Sequence, residues 1–250
     1  MGARTLYDQD DHLFVLLEGF GHGEMVPTNQ AVIYDSGEAV LLDPGGHKVH
    51  YDLMNEVSAL IPMNDLKYLF FSHQDPDIVA AANAWLMLTD AVGYISDLWL
   101  RFIPHFGVDE LLIPRLKGIP DNGMRLPLGN TELILLPAHF LHSAGNFQVY
   151  DPVSKILFSG DLGASIAPGY VEVPDFDAHI QHMEGFHHRY MPSESANKLW
   201  AAMVRQLDIE RIVPQHGAIF ADRETSARFV DWVEQLPGAA SLMTDIYQVP

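Results

Sequence analysis

One six-residue stretch constrains this chain more than any other: His73-Gln74-Asp75-Pro76-Asp77-Ile78. It follows the apolar run Tyr68-Leu69-Phe70-Phe71 and leads into Ile78-Val79-Ala80-Ala81-Ala82, which reads as the start of a helix. A strand, then an imidazole and two carboxylates at alternate positions, then a helix, is the layout of a metal site. In extended backbone, residues i, i+2 and i+4 point the same way, so His73, Asp75 and Asp77 are expected to converge. Pro76 has no N–H and a fixed φ, which suits a rigid loop.

Four further places share the same context, the polar end of an apolar run. Leu41-Leu42 leads to Asp43-Pro44-Gly45-Gly46, and Leu135-Leu136-Pro137-Ala138 leads to His139-Phe140-Leu141-His142. Ile156-Leu157-Phe158-Ser159-Gly160 leads to Asp161, and Ile212-Val213-Pro214-Gln215 leads to His216-Gly217. Strand ends on one edge of a sheet can meet at a common site. A lone histidine after a strand is ordinarily a hydrogen-bonded or surface residue. Several such strand ends, together with the His73-Asp75-Asp77 pattern, point to ligation instead.

The remaining pattern is β-rich in two stretches. Residues 13–17, 31–34 and 39–42 read as strands, the last two joined by the turn Asp35-Ser36-Gly37-Glu38. A helix is expected over 49–60, a strand ending at His73, a helix from 78 to about 88 and a strand over 92–95. Residues 97–125, with Pro104, Pro114 and Pro120, read as irregular. Strands are expected again at 131–136, 147–150 and 155–158, then a loop over 163–192 rich in His and Pro. Helices follow at 193–207, capped by Ser193 or Ser195, and at 222–236, capped by Asp222, with a strand at 211–214 between them. Two β-rich halves, each followed by helices, suggest two packed sheets with helices outside.

Composition narrows the chemistry. With 250 residues, 48% of them hydrophobic, the chain can bury a large core. It contains no cysteine, which removes disulfides, thiolate metal sites and cysteine nucleophiles, and fits the cytoplasm. A net charge of -19 repels phosphate backbones and anionic lipids, so a nucleic-acid partner is not expected. No stretch reaches the ~20 apolar residues of a membrane span, and the first residues have no signal-peptide pattern.

Taken in order, the Asp43 turn, the His73-Asp75-Asp77 pattern, Pro-Ala-His139-Phe-Leu-His142-Ser-Ala-Gly-Asn, Phe-Ser-Gly-Asp161 and Pro-Gln-His216-Gly resemble the metallo-β-lactamase superfamily. The resemblance spans nearly the whole chain. It implies one domain over residues 1–250, an α/β fold of metallo-β-lactamase type: an αββα sandwich of two mixed sheets flanked by helices. Hydrolases of that superfamily usually carry HxHxDH. Asp75 stands where that pattern has its second histidine, and a carboxylate there resembles the flavodiiron branch, whose motif is HxExDx. The segment 183–191 is also similar to that branch.

Carried over residue by residue, the resemblance gives one metal to His73, Asp75 and His142, the other to Asp77 and His216, with Asp161 bridging. His139, His47 and Ile78 are expected around the ligands, Ile78 where hydrolases have a histidine. His22 follows a strand near the same edge, and four histidines, at 179, 182, 187 and 188, lie in the 163–192 stretch. His12, His50 and His105 read as ordinary surface or packing residues. A sulfur-free set of imidazole and carboxylate suits two iron ions, with manganese or zinc as the alternatives. The expected activity is binding, and reduction, of dioxygen or nitric oxide by a stand-alone oxygen-binding or oxygen-sensing protein. No FMN is expected in this chain, so either a redox-protein partner supplies electrons or the protein binds oxygen as a sensor or carrier; the sequence leaves the assembly open, a homodimer being one option. The rival is a dinuclear metal-dependent hydrolase, which predicts zinc and a substrate groove.

Overall fold

Side-chain alternation decides how the strands are used. In the strand His12–Phe20, Phe14 and Leu16 enter one apolar cluster while Val15 and Leu17 enter another. Strands apolar on both faces belong to sheets covered on both sides. The computed structural model, which describes residues 2–21, 25–166 and 168–249, has two such sheets.

The larger sheet has the order β1 (Gly2–Gln9), β2 (His12–Phe20), β3 (Thr28–Asp35), β4 (Glu38–Leu42), β5 (Leu66–Phe70), β6 (Val92–Ser96), β7 (Leu116–Ile119). Its first four strands are antiparallel neighbours; from β4 onward the pairs are parallel. The smaller sheet comprises β8 (Met124–Leu128), β9 (Thr131–Pro137), β10 (Phe147–Asp151), β11 (Ile156–Gly160) and β12 (Arg211–Pro214), in the spatial order β12-β11-β10-β9-β8. Only β11 and β12 pair in parallel there.

Three apolar layers result. Between the sheets lie Phe14, Ile33, Phe70, Leu135, Phe147 and Phe158. Over the outer face of the larger sheet pack α1 (His50–Leu60), α2 (Pro76–Val79) and α3 (Ala82–Leu88), through Leu53, Val57, Ile78 and Trp85. A short helix α4 (Asp97–Leu100) follows β6. Over the outer face of the smaller sheet pack α5 (Phe176–Tyr190), α6 (Glu194–Val204) and α7 (Arg223–Glu234), through Met183, Trp200 and Phe229. Each fully buried Leu, Ile or Phe stabilises the fold by about 1.5–3 kcal/mol, so these layers fix the spacing of the sheets. The expected αββα sandwich of two mixed sheets is the architecture found.

The α6 and α7 caps are as expected: Ser193 accepts from Ala196 N and Asp222 from Thr225 N. Residues 2–9 add an edge strand to the β-rich start of the chain. Two expectations fail. Part of the stretch read as irregular holds β7 and the start of β8. The stretch read as a loop contains the 15-residue helix α5. Its buried stripe is Phe176, His179, Met183 and His187 at helical spacing, and two of these four are histidines, which mimic a polar loop. Asp175 caps its start.

Polar contacts join the sheets at the end where the β3–β4 hairpin turns. His12 lies buried between two carboxylates: Nδ1 is 2.9 Å from Asp35 and Nε2 is 2.7 Å from Asp151. Asp35 also accepts from Asn130 N at 2.6 Å, in the turn between β8 and β9. Burial opposes the charge on His12, but the two carboxylates outweigh it and raise its pKa. His12 was expected to be an ordinary residue; it is the inter-sheet ion pair at this end.

Candidate metal centre

The strand ends that the sequence singled out meet at the opposite end. Pairing of Gly160 with Pro214 sets Asp161 beside Gln215 and His216, and Gln215 N donates to Gly160 O at 2.8 Å. Gly160 has φ +57, the left-handed region that suits glycine, and a Cβ there would come within 3.1 Å of Ser72. That close approach lets the end of β5 reach the smaller sheet. Phe147 N then donates to Ser72 O at 2.9 Å, and His73 follows.

Asp161 is the centre of the arrangement. Its Oδ2 lies 3.0 Å from His142 Nε2 and 3.7 Å from His73 Nε2, while its Oδ1 lies 3.6 Å from His216 Nε2. Asp75 Oδ2 stands 3.5 Å from His73 Nε2 and 3.7 Å from His142 Nε2. Asp77 Oδ2 is 3.3 Å from His216 Nε2. Ligand atoms of His73, Asp75, His142 and Asp161 all lie within 4.8 Å of one another, as around one cation. Among the described residues, His73 Nε2 and Asp161 Oδ1 are buried and have no hydrogen-bond partner. Buried polar atoms of this kind call for an ion or water.

The charges are mutually supporting. Burial works against the Asp161 carboxylate, yet the imidazoles of His73, His142 and His216 hold it well below the usual range. Burial likewise opposes the imidazolium of His73, but Asp161, Asp75 and Asp43 push its pKa up to about 9. His216 is raised to about 9 against burial by Asp77 and Asp161.

Surrounding groups set the tautomers. Asp43 accepts from Ser72 N and from Ser72 Oγ, both at 2.7 Å. The Ser72 proton is thus committed to Asp43, and His73 Nδ1–H donates to Ser72 Oγ at 3.0 Å, leaving Nε2 for the centre. Burial lifts Asp43 to about 7, though His73 and the Ser72 hydrogen bonds pull the other way. His216 Nδ1–H donates to Pro27 O at 3.0 Å with the same effect. Phe186 and Tyr190 of α5 stack at 4.7 Å and set their rings against His142, at 5.8 and 5.4 Å.

All six residues expected as ligands, His73, Asp75, Asp77, His142, Asp161 and His216, are brought together. Asp77 arrives by another route: α2 begins at Pro76, so Asp77 sits in a first helical turn, where Gln215 Nε2 donates to it at 3.3 Å. The three residues expected around the ligands do not join the cluster. His139 Nε2–H donates to Asp121 O at 2.8 Å, and its ring packs on Phe147. His47 is exposed, and Ile78 is fully buried in the layer under α1–α3. His22 lies outside the described residues. Of the four α5 histidines, His187 accepts from Gly163 N at 3.0 Å, and His179 meets Tyr170 OH at 2.9 Å. Sequence reasoning gave no role to Ser72, Gln215, Phe186 and Tyr190; the adjacency of Ser72 to His73 and of Gln215 to His216, and the resemblance of segment 183–191, were the available signals.

Fold and geometry together define a metallo-β-lactamase-like protein with a sulfur-free cluster of imidazoles and carboxylates that could hold metal. Residues 26–217 match the family described as ODP family beta lactamase, and the chain belongs to it. It is similar to a structure described as the peroxy diiron species of chemotaxis sensor ODP: 39% identity, 99% of this chain and 100% of that one, TM-score 0.89. The apo state of chemotaxis sensor ODP from T. denticola is similar at 38% identity, covering 98% and 99%, with a TM-score of 0.87. A mutant flavo di-iron protein from Thermotoga maritima shares the fold, with 17% identity, 93% of this chain, 61% of that one and a TM-score of 0.77. An uncharacterized protein of Methanocaldococcus jannaschii is 23% identical over 227 residues, 84% of this chain. The chain spans 55% of that relative's length.

Proposed function

We propose that residues 1–250 form one metallo-β-lactamase-like domain whose diiron site binds dioxygen as a sensor or carrier. One ion would be held by His73, Asp75 and His142, the other by Asp77 and His216, with Asp161 shared. The observation that carries this is Asp161, a buried carboxylate whose two oxygens face two separate histidine sets. A donor set of imidazole and carboxylate without sulfur fits iron. When bound, such a pair of irons supplies electrons and open coordination positions to a diatomic such as O2 or NO.

The protein's own groups prepare that role. Ser72 and the Pro27 carbonyl hold the histidine tautomers, and Phe186 with Tyr190 shields His142 with ring surface. A redox partner is the source of electrons for turnover, and the cytoplasm is the compartment that a cysteine-free chain fits. No helix among the described residues is long and apolar enough to cross a membrane.

The test is metal analysis of protein made with iron and purified without oxygen, with optical spectra before and after admitting air. Up to two irons per chain and a new absorption band on aeration are expected. Two tightly bound zinc ions and no iron, from iron-supplemented cells, would refute the proposal in favour of a hydrolase.

A further inference from the structure

A hydrogen-bond chain reaches the site from the larger sheet. Trp99 in α4 can only donate through its indole N–H, and it donates to Ser143 Oγ at 3.0 Å. Gly145 N donates to the same oxygen at 3.3 Å. With its lone pairs occupied, Ser143 directs its own proton to Gln74 Oε1, 2.6 Å away. The Gln74 amide is therefore oriented: its oxygen faces Ser143 and its NH2 faces Asp75, donating to Oδ1 at 2.9 Å. Asp75 Oδ2 is the oxygen turned toward His73 and His142. Gly145 makes room for the chain, because a Cβ there would lie 2.9 Å from Trp99 Nε1 and 2.6 Å from Ser96 Oγ.

We infer that Trp99, Ser143 and Gln74 are positioning residues that tie down Asp75 Oδ1 and present Oδ2 alone as a ligand atom. This rests on the diiron reading of the site. Each donor in the chain has one available acceptor, so the direction of all three bonds follows from the indole N–H. The device compensates for a short side chain: an aspartate anchored on one oxygen has its other oxygen in a fixed place. It also links α4 to the ligand set, so that the Trp99 indole senses what Asp75 holds.

The experiment uses 15N-indole-labelled, metal-free full chain, titrated anaerobically with Fe(II). Trp99 is assigned by the resonance lost in Trp99→Phe. Ser143→Ala and Gly145→Ala should move the Trp99 indole resonance before metal is added. Both, and Gln74→Leu, should weaken Fe(II) binding about 10- to 100-fold, as loss of a group orienting a ligand does. Ser143→Thr, which keeps the hydroxyl, should restore both readouts. Wild-type protein that binds no Fe(II) would overturn the diiron reading itself. Wild type that binds Fe(II), with Ser143→Ala and Gln74→Leu binding equally well, would overturn the relay alone. An unmoved Trp99 resonance in Ser143→Ala would do the same.

Discussion

Replacing His12 by leucine should cost the metal-free protein about 3–5 kcal/mol, the usual penalty for removing one member of a buried ionic arrangement. The structure supports that size by a second route. Two hydrogen bonds to charged groups are lost, at 2.9 and 2.7 Å, each worth about 1.5–3 kcal/mol. The carboxylates keep other partners, Asp35 from Asn130 N and Asp151 from Val153 N and Ser154, so the loss is not larger. For a chain of this size, the melting temperature should fall by about 2–4 °C per kcal/mol. Because the pKa of His12 is raised in the folded state, its contribution has a definite sign with pH. It is complete below about 6.5, where the unfolded imidazole is also charged, and it is lost as pH rises through the folded value. Urea unfolding of wild type and His12→Leu should therefore show its widest gap at about pH 5–6, where the imidazolium and both carboxylates are charged, with the gap narrowing at alkaline pH as His12 loses its proton and in strong acid as the carboxylates gain theirs. Comparing the two proteins cancels the titration of the other histidines. A loss below about 1 kcal/mol at pH 6, the scale of an exposed pair, or a gap that does not narrow with pH, would refute the reasoning.

Three other outcomes are expected. Asp161→Asn should lose both ions together, since each oxygen of Asp161 faces a different ligand set; metal analysis showing one ion retained at full occupancy would rule out sharing. Ser72→Ala frees the His73 tautomer and should weaken metal binding about 10- to 100-fold in a competition titration, with unchanged affinity as the contrary result. His187, buried and accepting from Gly163 N, should titrate at about 4 by NMR of its ring protons, because burial disfavours its charge; a titration near the ordinary value of about 6.5 would contradict its placement.

Sequence alone made the ligands legible because each stands at the polar end of an apolar run, and such runs end where sheets end. The helices α6 and α7 were legible from Ser193 and Asp222, whose side chains cap them. What stayed hidden depended on contacts between distant residues. His12 and Asp151 are separated by 139 positions, and nothing local marks either as half of a pair. The strand β1 lacks an apolar run because it is an edge strand with alternating burial. The helix α5 looked like a loop because histidines fill part of its inward stripe, and its aromatic pair over His142 could be seen only once the helix was present.

The two polar junctions sit at opposite ends of the sandwich and differ in kind. At the β3–β4 hairpin the sheets are riveted by His12, Asp35 and Asp151, which need nothing from outside. At the other end His73, Asp75 and Asp77 follow the larger sheet, while His142, Asp161 and His216 follow strands of the smaller one. Ions held there as proposed would add a second tie between the sheets, and the molecule would then be a book with a sewn spine and a metal clasp. Withdrawing the ions should raise amide hydrogen exchange at residues 72–80 and 138–146 while leaving the spine residues protected.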